Sequence, residues 1–182
     1  MRPPVLLTLL FLAACKPPAT DGFAERQQRG PIVKGPSDPQ ESPETSDAIW
    51  SQSATELRLI YGNPGEPPLL ALACDTSSDP QQLRLTRFAP ADEGAQAFLA
   101  LIGNGHVARV PVDAVETPQG FVWQGYADPS DRRMEVFSGA RAVTATVPGA
   151  GTVTLNASAL TAELLEQCEA TPEPDAETQP SQ

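Results

Sequence analysis

Ala97-Phe98-Leu99-Ala100-Leu101-Ile102, then Gly103-Asn104-Gly105, then His106-Val107-Ala108-Arg109-Val110-Pro111-Val112: two apolar runs face each other across a three-residue turn signal. Glycine and asparagine tolerate the positive φ angles that tight hairpins need. His106 to Val112 is therefore expected to pair back on Ala97 to Ile102. The first run has no polar residue, so it reads as a buried strand.

The same grammar extends in both directions. Upstream, a strand begins at Ile49-Trp50, and Leu57, Leu59 and Tyr61 alternate with Glu56 and Arg58, the two-residue period of a half-buried strand. Gly62-Asn63-Pro64-Gly65-Glu66-Pro67 reads as a turn. Leu69 to Cys74 is nearly all apolar, and Leu83 and Leu85 alternate with Arg84 and Thr86. Downstream, Thr117-Pro118-Gln119-Gly120 marks another turn, and Phe121 to Tyr126 a strand with Phe121 and Trp123 on one face. Met134 to Phe137, Val143 to Val147 and Thr152 to Leu155 complete the set, with Pro148-Gly149-Ala150-Gly151 joining the last two. Strands at this spacing, with no helix between them, predict an all-β fold, a small antiparallel sandwich or barrel. Only the end of the domain changes period. Leu160, Leu164 and Cys168 recur every fourth residue, so Ala157 to Cys168 is expected to be a helix, capped by Asn156 or Ser158.

The amino terminus is of another kind. Met1-Arg2-Pro3-Pro4 precedes Val5-Leu6-Leu7-Thr8-Leu9-Leu10-Phe11-Leu12, which matches a secretory signal and falls short of the roughly 20 residues a bilayer span needs. Leu12-Ala13-Ala14-Cys15 resembles the lipobox of bacterial lipoproteins. Small Ala13 and Ala14 suit a protease cleft, Leu12 an apolar subsite, and Cys15 offers a thiol for a diacylglycerol thioether. The resemblance implies a signal peptide over 1–14, cleavage before Cys15, and acylation of the new amine with a palmitate-like chain. Two or more buried chains anchor stably, at about 0.8 kcal/mol per methylene. In that family an acidic residue after the cysteine retains the protein at the inner membrane. Lys16 stands there instead, which implies the periplasmic face of the outer membrane.

Residues 15–47 are rich in proline, glutamine and serine, and only Phe23, Ile32 and Val33 are large and apolar. Such a stretch cannot bury enough surface to offset its ordering entropy, so it reads as a lipidated disordered tether. Phe23 to Val33 is its one apolar island. The globular domain then spans 48–168, and 169–182, with four acids and three prolines, reads as a disordered acidic tail.

Of three cysteines the lipid claims Cys15. Cys74 and Cys168 remain as an even pair in an oxidising compartment, where a disulfide is expected. It would close a loop of about 95 residues, which the chain-entropy model values at roughly 4–5 kcal/mol.

The chain carries 12 basic and 23 acidic side chains, a net charge of −11. Between Ala48 and Cys168 there are seven arginines, thirteen acids and no lysine. This excludes a nucleic-acid partner, which needs clustered positive charge, and electrostatic adhesion to anionic lipid. The membrane link would be the lipid anchor. The field suits a cationic partner.

Few residues point to catalysis. His106 is the only histidine, and no Gly-x-Ser-x-Gly elbow, phosphate loop or dinucleotide fingerprint is present. The acids Asp128, Asp131 and Glu135, like Asp75 and Asp79, share loops but lack a calcium-loop pattern. No metal site, cofactor or catalytic residue is expected. Trp123 is either a core residue or a ligand-facing aromatic platform.

Two further resemblances concern the domain. Lysozyme inhibitors of the C-type class carry Ser-Gly-x-x-Tyr followed by Trp-x-Gly. Here Ser138-Gly139-Ala140-Arg141 follows Trp123-Gln124-Gly125, and position 142 is alanine, so order and tyrosine both fail. Trp50, Pro68-Leu69-Leu70-Ala71-Leu72-Ala73-Cys74 and Cys168 give an outline that resembles small exported β domains such as invasion-associated locus B-like and type VI secretion accessory proteins. Together these readings predict a non-catalytic binding or structural domain with an envelope protein as partner. An inhibitor of a cationic enzyme such as lysozyme, or an envelope hydrolase, are the alternatives.

Overall fold

The structure, a computed structural model, describes residues 38–54 and 57–170. The signal, Cys15, most of the tether and the acidic tail lie outside the described residues. Within them the all-β expectation holds. One antiparallel sheet of nine strands curls into a half-barrel, with a single α-helix at its carboxyl end. The strands are β1 (Ile49–Gln52), β2 (Arg58–Gly62), β3 (Leu70–Asp75), β4 (Gln82–Pro90) and β5 (Gln96–Gly103). They continue with β6 (His106–Thr117), β7 (Gly120–Ala127), β8 (Val143–Thr146) and β9 (Thr152–Leu155), before α1 (Ala159–Glu169). Their order across the sheet is β1-β2-β3-β4-β7-β6-β5-β8-β9.

The hairpin that organises the sequence lies inside this sheet, between the central strand β7 and β8. Gly103 pairs with His106 around Asn104 and Gly105, whose φ angles are 52° and 86°. Both central residues thus occupy the left-handed region, the geometry of a type I′ turn. Leu99 and Leu101 of β5 and Ala108, Val110 and Val112 of β6 point into the half-barrel and are buried. The sequence expectation of a wholly buried Ala97–Ile102 run does not hold. Phe98 and Ile102 face outward and are more than half exposed, because in a one-sheet fold the outer face has no second layer against it.

The two edge strands are held together by side chains rather than a ladder. Tyr61 on β2 donates its hydroxyl to the carbonyl of Thr154 at 2.8 Å and accepts from the Asn156 amide at 3.0 Å. Trp50 on β1 donates Nε1 to the Asn156 carbonyl at 3.0 Å. The Asn156 amide group donates to the carbonyls of Ala48 and Thr45. Residues 38–47, placed by composition in the tether, run beside β9. Gln40 N–H bonds the Gly149 carbonyl, and Thr152 N–H bonds the Ser42 hydroxyl.

Helix α1 begins where expected, with Ser158 accepting from the Leu160 N–H. It buries Thr161, Leu164, Leu165 and Cys168, and Cys168 is bonded to Cys74 at the end of β3, with 5.4 Å between the Cα atoms. One expected strand is absent. Met134 to Phe137 belongs to a 3₁₀ helix, Arg132–Phe137, whose first turn is capped by Asp131. Met134 and Phe137, three apart, are both buried and so is Val136 between them. Met134 and Val136 fit a period of two, but the added burial of Phe137, three after Met134, suits three residues per turn.

Candidate functional site

Three places gather the side chains that could carry function: the two ends of the half-barrel and its outer face.

At the hairpin end, Asn104 ties the turn to the loop after the 3₁₀ helix. Its Nδ2 donates to the Val136 carbonyl at 2.8 Å and the Arg141 carbonyl at 3.3 Å, and its Oδ1 accepts from the Arg141 N–H at 3.0 Å. A Cβ on Gly139 would overlap the Asn104 side chain, so this contact requires glycine. Beside it, His106 Nε2 lies 3.3 Å from Glu135 Oε2, and Arg132 stands at 4.0 Å from the other oxygen. Asn104, His106 and Glu135 line an open bowl of about 520 Å³ with Ser138, Gly139 and Arg141. The sequence places His106 at the start of the strand after the turn and gives no sign of Glu135 beside it. The two are 29 positions apart, and the 3₁₀ helix that brings them together was read as a strand.

The loop acids serve the backbone. Asp131 accepts from the Arg133 backbone N–H and binds the Arg133 guanidinium with both oxygens. The Arg133 side chain, then its N–H, hold this carboxyl down at about 2. Asp128 accepts from Ser130 and Asp75 from Ser77 in the same two-residue turn geometry. The Ser77 hydroxyl and N–H lower the Asp75 carboxyl below its ordinary value. Among the described residues no three His, Cys, Asp or Glu side chains converge to hold a metal ion.

At the opposite end, Arg87 is 3% exposed. Its guanidinium donates to the carbonyls of Leu69 at 3.0 Å, Phe88 at 3.2 Å and Ala150 at 2.9 Å, but its Nε has no partner. Burial lowers its pKa to about 10, so it remains charged at neutral pH. Trp123, the residue singled out from sequence, is Arg87's register partner across β4 and β7, is fully buried, and its Nε1 is likewise unpartnered. In the sequence Arg87 continues the inward parity of Leu83 and Leu85, the signal that could have found it, and the register of β4 on β7 shifts only after it, between Arg87 and Pro90.

The outer face is the third place. Phe98 is 55% exposed, Ile102 54%, Val107 50% and Tyr126 42%. Register pairs Ile102 with Val107 and Phe98 with the exposed Pro111, which lies next to Tyr126 on β7, so the outer face carries two apolar patches with Ala100 and the exposed Arg109 between them. The signal was in the sequence, as apolar residues at both parities of Ala97–Ile102.

Cys74 and Cys168 form the expected disulfide. Comparison with protein-family models, with curated proteins and with solved structures finds no match to this chain.

Proposed function

We propose that this chain is a lipoprotein of the bacterial envelope, anchored through Cys15 to the periplasmic face of the outer membrane, whose β domain is a non-catalytic binding or structural module. The observation that carries this reading is the Cys74–Cys168 bond. It uses two of the three cysteines, leaves Cys15 as the one for the lipid, and suits an oxidising compartment. A non-catalytic role is supported by the way the acids are spent. Asp75, Asp128 and Asp131 each cap a turn through bonds to their own loops, which is structural work. The partner in this reading is another envelope protein.

The test is fractionation of cells making the native chain and Cys15→Ala. The native chain should sediment with membranes and take up labelled fatty acid, and the variant should do neither. A variant that stays with the membrane would end the anchor reading.

A second reading is inhibition of a cationic enzyme such as lysozyme, supported by the acidic balance of the domain and by the exposed Ser138–Arg141 loop at the hairpin end. It requires capture of a basic enzyme that weakens as salt is raised. An envelope hydrolase would instead need activity that is lost in His106→Ala or Glu135→Gln.

A further inference from the structure

We infer that Phe98, Pro111 and Tyr126, with Arg84 and Arg109 beside them, form a binding platform on the outer face of the sheet for a linear glycan that carries carboxylates. The inference rests on the reading of the domain as a binding module, and not on the lipid at Cys15.

The first observation is the row itself. Phe98 on β5 is the register partner of Pro111 on β6. The β6–β7 ladder, which sets Val112 against Gly125, places Pro111 beside Tyr126, and Tyr126 is the register partner of Arg84 on β4. The four stand in one line across the strands, and Phe98, Pro111 and Tyr126 are exposed. Two strand spacings, about 10 Å, separate the two rings. That separation matches the repeat of a β-linked disaccharide, in which each sugar can lay a C–H face on an aromatic surface. A lone exposed ring would carry no such length.

The second observation is the row alongside. Gln96, Asp113 and Gln124 are register partners on the same three strands. Their amides are the donors and acceptors that sugar hydroxyls need. Gln124 Nε2 also donates to the Tyr126 hydroxyl at 3.1 Å and so ties the tip of that ring to its own strand.

The third is charge. Arg109, fully on the surface, flanks Pro111 on the side away from that second row, and Arg84 ends the first. Neither guanidinium has an ion-pair partner among the described residues. The acids around them are held by uncharged neighbours. Asp113 accepts from Gln96 at 2.7 Å, and Asp75, whose carboxylate feels Arg84 through space, accepts from Ser77 at 3.0 Å. Two unpaired guanidiniums beside a stacking platform complement carboxylates on the ligand, which arginine can bind with two parallel bonds. A lipid surface fits less well. Ala100 and Arg109 divide this platform from Ile102 and Val107, so the apolar area is too broken to enter a bilayer.

The test uses the chain from residue 15 with Cys15→Ser, titrated with a β-linked mannuronate hexamer and with neutral cellohexaose. The hexamer should shift the amides of Phe98, Arg109, Gln124 and Tyr126, bind more tightly than cellohexaose, and bind more weakly as salt is raised. Phe98→Ala with Tyr126→Ala, and Arg84→Gln with Arg109→Gln, should each weaken it about tenfold or more. Ile102→Ala with Val107→Ala, on the neighbouring patch, should leave it unchanged. Native amide shifts of the buried strand residues show that each variant folds. No saturable binding of the hexamer, or binding that both pairs of variants retain, would overturn the proposal. So would the same amides responding to phosphatidylglycerol vesicles and not to the hexamer, which would make the face a lipid contact. A hexamer recovered shortened, with its binding still lost in both pairs, would end the non-catalytic reading and keep the site.

Discussion

The two ends of the half-barrel are closed by different physics. At the hairpin end a neutral amide, Asn104, exchanges bonds with Val136 and Arg141, and the disulfide, α1 and the 3₁₀ helix add a layer of apolar side chains. At the other end a buried cation, Arg87, draws Leu69 and Ala150 together, and the groups it bonds are backbone carbonyls, not carboxylates. The first arrangement satisfies every polar group it buries on Asn104. The second leaves Nε unpaired, and carries the desolvation of a full charge. Buried charge is a weak source of net stability, whereas removal of one partner leaves others stranded. The hairpin end should thus be the more stable of the two, and the Arg87 end the one that opens first.

Breaking the covalent link tests the strong end most directly. Cys74→Ser with Cys168→Ser should lower unfolding free energy by about 2–5 kcal/mol, the usual range for a native disulfide in a small domain. Urea denaturation with and without reductant checks it. Asn104→Ala removes three hydrogen bonds and puts a Cβ residue at φ 52°, and a loss of roughly 2 kcal/mol is expected by the same measurement. Arg87→Met should cost less, about 1 kcal/mol. The stranded Leu69 and Ala150 carbonyls are offset by removal of a desolvated charge. If Arg87→Met proves costlier than Asn104→Ala, the ranking of the ends is reversed.

The smallest effect is a pH dependence. The Asp131 carboxyl is held at about 2, below its unfolded value of 3.8. Its contribution is therefore complete above the unfolded value and lost as pH falls through about 2. The 3₁₀ helix should loosen in that window, seen in the amide shifts of Arg133 and Met134, and Asp131→Asn should show no such step.

The hairpin and its turn were legible because a left-handed pair of residues leaves a mark in composition, and because alternation at Leu57–Tyr61 has one cause. The Cys74–Cys168 pair was legible because setting Cys15 aside with the lipobox-like stretch leaves an even count. The 3₁₀ helix was not, since Met134-Glu135-Val136-Phe137 satisfies a short strand pattern as well as a tight helical turn. Arg87 keeps the inward parity of Leu83 and Leu85, but a charge at that place reads as the end of a buried face, and the Ala150 carbonyl that receives it is 63 positions away. Trp123 could be read as core or platform. It lies wholly inside with its N–H unanswered and Arg87 across from it.

The line along which Tyr61 and Trp50 reach Thr154 and Asn156 has its own consequence. Burial raises the Tyr61 phenol's pKa, an effect the Asn156 N–H partly offsets, so its proton stays in place at neutral pH. A sheet joined along one line by a few side chains has a hem there. Amides beside it can exchange with solvent when the hem parts, while those of β5, β6 and β7 must wait for the whole cloth to come undone.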